Sequence, residues 1–150
     1  MHPYPHLYKV STEGRPTGVV SVDATGLPQI ETAPPVQFDG PGGTWSPETL
    51  LCASVADCFI LTFRALAKAS KFDWSELACQ VEGTLDRVDG IAQFTRFATR
   101  AILKLPEGAD VDAAHALLEK AEDRCLIANS LRGKRALEME IIQASAVCGT

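Results

Sequence analysis

Five cysteines, Cys52, Cys58, Cys79, Cys125 and Cys148, are the residues of this chain best suited to chemistry. A thiolate is a nucleophile and a metal ligand, whereas a buried thiol is a small inert hydrophobe, so each position carries both readings. The odd count, in a chain that opens without an apolar export signal, argues against a structural disulfide framework. There is no CxxC, and His2, His6 and His115 stand at no zinc-ligand spacing from a cysteine, so neither a metal nor another cofactor is expected. Inert thiols or reactive thiols remain.

Spacing sorts them in part. Cys52 and Cys58 fall in one helical segment, six residues apart, a net rotation of about 240° that points them to different faces. They cannot pair within that helix. Cys58 shares its face with Leu51, Ser54, Leu61 and Ala65 and must meet something outside its own helix. Cys125 lies near the end of a second helical segment beside Arg124, a setting that suits a partly accessible thiol. If the two long helices pack together the two sulfurs can approach, and a disulfide needs Cα atoms within roughly 7 Å. Cys79 falls at an inward strand position, and Cys148 is so near the chain end that fraying is expected.

The elements that must position these thiols follow from periodicity and turn chemistry. Residues 7–11 and 19–23 read as strands joined by a Gly-Arg-Pro-Thr-Gly turn, and Gly26 turns toward a third strand around residues 28–32, an antiparallel meander. Residues 34–47 form a Pro- and Gly-rich loop. It ends in a sharp helix start: Ser46 caps, Pro47 suits the first helical position, and Glu48 sits where the dipole favours an anion. That helix runs to about Ser70. Residues 77–86 and 91–105 are strands joined by a turn at Asp89-Gly90, the second alternating between Phe94, Arg96, Ala98, Arg100 and Thr95, Phe97, Thr99, Ala101. Residues 110–129 read as one helix with an apolar stripe of Ala113, Ala114, Leu117, Leu118 and Ala121, closed by Asn129 and Ser130, and residues 136–145 as a last strand. The order βββ–α–ββ–α–β indicates an α+β fold in one domain over residues 1–150.

Bulk properties exclude several classes. With 46% hydrophobic and 22% charged residues the 150-residue chain has an ordinary globular balance, and its net charge of −5 leaves no basic cluster for nucleic acid. The longest apolar stretch, residues 49–67, is interrupted by Asp57 and Arg64 and reads as a buried core helix, so no membrane partner and a cytoplasmic location are expected. The same stretch is apolar on nearly every side and needs cover all round. A second copy of the chain is the simplest source, hence an intimate homodimer.

The run at residues 46–58, SPETLLCASVADC, and the run at residues 125–130, CLIANS, together resemble the two cysteine motifs of the OsmC/Ohr family of osmotically inducible and organic hydroperoxide resistance proteins, in the same order and at matching spacing. The resemblance covers essentially the whole chain. It implies an intertwined homodimer in which strands wrap two long central helices, with active sites at the subunit interface. It also implies a thiol-dependent peroxidase. Cys58 corresponds to the peroxidatic cysteine, Cys125 to the resolving one, Glu48 to the motif Glu, and Arg15 to the catalytic Arg. Its implied partners are an organic hydroperoxide as substrate and a dithiol reductant, lipoyl groups on partner proteins being the family's choice.

The chemistry explains these residue types. A guanidinium never deprotonates and would favour the thiolate that attacks a peroxide, and a carboxylate can hold that guanidinium through a bidentate contact. Trp45 and the Phe residues read first as core; as apolar pocket walls, Phe38, Trp45, Phe59, Leu61 and Phe63 would favour fatty or aromatic hydroperoxides. Pro16 and Asp57 depart from the commonest pattern, and a carboxylate at 57 opposes the Cys58 thiolate unless it faces away. Glu48 as a simple first-turn dipole partner, and Arg64 or Arg124 in place of Arg15, are the competing assignments. The rival function is a non-enzymatic dimer of the same fold that binds an apolar small molecule or senses oxidation.

Overall fold

The structure, a computed structural model, describes residues 1–145 of the chain. Cys148 lies outside them. The chain divides into two compact units, residues 1–51 and 52–150.

The first unit is the expected meander: β1 (Ser11–Glu13), β2 (Val20–Asp23) and β3 (Ile30–Thr32), antiparallel in that order. β1 starts four residues later than the weak alternation at residues 7–11 suggests. Leu7, Tyr8 and Val10 are exposed, so nothing rewards a strand there. The following loop carries a 3-10 turn at Val36–Phe38 and returns to β3 through an Ala33 N–H donated to the Trp45 carbonyl at 3.0 Å. Gly40 is the pivot of that loop. A Cβ there would stand 1.7 Å from the Pro34 carbonyl oxygen, which is backbone and cannot step aside. Gly40→Ala is therefore expected to destabilise the protein by about 1–3 kcal/mol, read as a lower midpoint in thermal denaturation.

α1 (Pro47–Ala69) begins where the sequence places it. The Thr49 N–H donates to Ser46 Oγ at 3.1 Å, and the Ser46 N–H donates to Thr49 Oγ1 at 2.9 Å. This is a reciprocal capping box with Thr in the role more often taken by Glu. Glu48, one position earlier, takes no part in the box. α1 is the one described helix long and apolar enough to cross a bilayer, with a mean hydropathy of 1.8. Its fully buried residues, Val55, Phe59, Phe63 and Ala67, recur every fourth position, the stripe that packs a helix on a core.

The second unit is built on one sheet. β4 (Glu76–Val88) and β5 (Ile91–Leu105) form a long antiparallel hairpin, and β6 (Lys134–Gln143) adds parallel to β5. The hairpin turns at Asp89-Gly90, with φ of 52° and 81°, the left-handed pair that matches strand twist. A parallel neighbour requires a crossover. It is made by α2 (Val111–Arg124) and the single turn α3 (Leu126–Asn129). Alternation on β5 holds: Phe97, Thr99, Ala101, Leu103 and Leu105 are buried. Ala101, Leu103 and Leu105 pack with Phe59, Phe63 and Ala67 of α1 and Ala114, Leu118 and Ala121 of α2 in one core.

Of the two readings of Phe59 and Phe63 the core one holds, both being fully buried against the sheet. One expectation changes here. The second helix does not run unbroken over residues 110–129. Asp110 caps it from outside, its carboxylate accepting from the Ala113 N–H at 3.1 Å, and Cys125 breaks it with φ −63° and ψ 103°. α+β is the observed class, in two three-stranded sheets with helices between their strands.

Candidate active site

α1 carries Cys58 on the side adjoining its buried stripe, half-buried, with its sulfur 3.8 Å from the Thr62 hydroxyl one turn on. The i, i+4 relation sets that contact. Asp57 is exposed. Cys125 sits in the corner between α2 and α3, with no exposed surface, its thiol directed at the Val55 carbonyl of α1 at 3.9 Å. It is more enclosed than a thiol beside a helix end and Arg124 suggests, because the extended backbone at 125 turns the side chain inward onto α1. The corner brings the two cysteines close enough for Cys58 to push the Cys125 thiol up, and both are free.

Burial governs the acidity of the enclosed thiols. Burial pushes Cys125 up to about 11; the Ala128 backbone hydrogen bond lowers it, and Cys58 and Glu122 raise it further. Cys79 on β4 is pushed up to about 12, first by burial and then by Glu122 and Cys125. Burial also raises Cys52, against a hydrogen bond from the Gly83 backbone. Cys79 and Cys125 are thus protonated thiols at neutral pH. For Cys79, packed against the sheet core, this is the inert reading of a strand cysteine.

Glu48 and Arg15 both belong to the first unit. Glu48 is half-buried, and no donor reaches its Oε2 atom, which is shielded from solvent. It lines an apolar cleft of about 620 Å³ with Val20, Val22, Pro34, Phe38 and Leu50. Arg15 is exposed and lines a smaller cleft of about 380 Å³ with Glu13 and Thr17. Among the described residues no ion pair joins Arg15 to Glu48. Trp45 is exposed, as are Arg64 and Arg124. No cluster of three or more metal-binding side chains occurs among the described residues.

One group is absent from the sequence reading. Arg135, at the start of β6, donates from Nε to Glu122 Oε1 at 2.8 Å and from Nη1 to Asn129 Oδ1 at 2.7 Å. These residues lie on three different elements and belong to no shared period, so only the tertiary fold reveals them.

This pair of thiols on an α+β scaffold defines a class of small thiol proteins. The OsmC-like protein family model matches residues 40–140, and the chain belongs to that family. It is 30% identical over 109 residues to the uncharacterized protein YmaD of Bacillus subtilis, covering 71% of this chain and 73% of the relative. Its fold is similar to that of an organic hydroperoxide resistance protein OsmC from Legionella pneumophila, with a TM-score of 0.71 at 24% identity, covering 93% of this chain and 98% of that one. It is also similar to an OsmC-like protein of unknown function from Vibrio cholerae, with a TM-score of 0.78 at 15% identity, covering 92% and 100%.

Proposed function

We propose that this protein is a cytoplasmic, homodimeric cysteine peroxidase, one functional domain per chain, that reduces organic hydroperoxides to alcohols through Cys58 and Cys125. The observation that carries the reading is the close approach of two free thiols, one half-buried and one enclosed, in a family whose relatives include an organic hydroperoxide resistance protein.

Access divides the roles. Cys58 has exposed surface and can meet a substrate, whereas Cys125 has none and waits as the protonated thiol. The Cys58 thiolate attacks one peroxide oxygen: an S–O bond forms, the O–O bond breaks, and the departing alkoxide takes a proton and leaves as the alcohol. Cys58 is now a sulfenic acid. The Cys125 sulfur attacks it, the S–S bond forms, and the hydroxyl leaves with the thiol proton as water. A dithiol, such as a lipoyl group on a partner protein, reopens the disulfide by exchange and is itself oxidised.

Arg15 is the proposed guanidinium that favours the Cys58 thiolate, and Glu48 its anchor. In support, Glu48 has a shielded oxygen in want of a donor, and Arg15 has a guanidinium with no ion-pair partner among the described residues. Supporting the homodimer, α1 is apolar around its circumference yet fully buries only one stripe in the single chain, leaving Leu61 half-exposed. The cleft beside Glu48 favours a second reading, an apolar-ligand binder or oxidation sensor.

One assay separates the two. Reduced protein mixed with cumene hydroperoxide is expected to lose two thiols within minutes and to show a Cys58–Cys125 bridge by mass spectrometry. Retention of all thiols would end the peroxidase reading and favour the binder.

A further inference from the structure

Helix α2 breaks at Cys125 because its carbonyls are engaged from outside. In a continuing helix the Glu122 carbonyl would accept from the N–H of Leu126. Here it accepts from the Cys125 N–H at 3.3 Å and from the Arg135 guanidinium. The Asn129 side-chain amide donates to the Asp123 carbonyl at 3.0 Å, satisfying another carbonyl at the helix end. Arg135 closes the network by gripping the Glu122 carboxylate and the Asn129 side-chain oxygen. One guanidinium on β6 therefore ties the end of α2 to α3, and Cys125 is the residue between them.

We propose that Arg135 is a positioning residue for disulfide closure: it fixes the α2–α3 corner that turns Cys125 toward Cys58, and it balances the Glu122 carboxylate beside that thiol. This rests on the reading of Cys125 as the resolving thiol. A planar fork with several donors suits the task, because one side chain must bind a carboxylate, an amide oxygen and a backbone carbonyl together.

The charge argument gives a sign. The groups facing Cys125 are Cys58 on α1, Cys79 on β4, Glu122 on α2 and Arg135 on β6, through its partner Glu122. Cys125 must shed its proton as it attacks, and the Glu122 charge opposes that. Removing the guanidinium leaves this charge unbalanced and moves the pH profile of closure upward. Glu122→Gln removes the charge, keeps an oxygen to accept from Arg135, and moves the profile downward. A loss of general stability would not give opposite signs.

The test uses the full chain in single turnover with cumene hydroperoxide, following sulfenic acid formation and disulfide closure separately. In Arg135→Met the first step is expected to be unchanged and closure about tenfold slower, with a sulfinic acid appearing on Cys58. Arg135→Lys restores the charge without the fork and recovers part of the rate. Equal slowing of both steps, or unchanged closure, overturns the proposal. A parallel reaction with diamide couples the two thiols without any peroxide. There too Arg135→Met should close about tenfold more slowly than wild type. Equal rates, or no Cys58–Cys125 bridge even in wild type, overturn the proposal whatever the protein does with hydroperoxides.

Discussion

Replacing Cys58 by serine is expected to reduce hydroperoxide turnover on the order of 10³-fold or more, to the level of the buffer reaction. The reason lies in the atom, not in its place. Serine has almost the same shape and can keep a contact with the Thr62 hydroxyl, now 3.8 Å from the sulfur. A serine hydroxyl stays protonated at neutral pH and is a far weaker nucleophile toward oxygen than a thiolate. The fold should hardly notice, since Cys58 is half-buried and contributes nothing to the fully buried stripe of α1. A loss of activity with an unchanged thermal midpoint thus isolates the chemistry. No other thiol of the core should take over: burial, the largest cause for both, still pushes Cys125 and Cys79 up when Cys58 is gone, so both stay protonated at neutral pH. The measurement is cumene hydroperoxide consumption with excess dithiol. Full activity in Cys58→Ser would show that the nucleophile is elsewhere and that the role division is wrong.

The elements fixed by local rules were legible in the sequence. Ser46-Pro47 starts α1, Asp89-Gly90 turns the long hairpin, and the alternation of β5 divides its faces as observed. Each follows from a residue's own conformational preference or from strict period-two or period-four burial. The misreadings arise where local pattern does not decide the outcome. The apolar stripe through Ala114, Leu118 and Ala121 favours one uninterrupted helix, yet Arg135 and Asn129 engage the carbonyls at its end and break it at Cys125. Local alternation at residues 7–11 favours a strand, but pairing begins only at Ser11. Phe59 and Phe63 suit either core or pocket wall, and the core reading holds because the sheet lies on that side of α1.

Of the candidate site, the approach of two thiols was legible in part. Rotation about α1 shows that Cys58 must find its partner off its own helix, and the family motifs name Cys125. No periodicity announces that Cys125 is enclosed, because its inward turn comes from the extended backbone at one residue. In the proposed mechanism that turn holds the second half of the chemistry in reserve: a thiol raised by burial and by a neighbouring carboxylate would not compete for the peroxide, and would lie beside the first thiol when a sulfenic acid formed.

Cys125→Ser is expected to convert turnover into a single event. The first step needs only Cys58 and should keep its rate, whereas closure has lost its sulfur. The Cys58 sulfenic acid should then persist, and with excess hydroperoxide it should take up a second oxygen to give the sulfinic acid, which thiols do not reverse. Steady-state turnover should fall about 10²-fold or more, with a burst of about one equivalent of hydroperoxide consumed per chain. The substitution is nearly isosteric at a fully buried position, and the serine hydroxyl can donate to the Val55 carbonyl that the thiol now faces at 3.9 Å. The structural cost is therefore held to about 1 kcal/mol. Mass spectrometry of the intact protein follows the sequence directly: one added oxygen, then two, in the variant, and loss of two hydrogens in the wild type. A variant that cycles at the wild-type rate, or a wild type that accumulates added oxygen as fast as the variant, would show that Cys125 does not resolve Cys58.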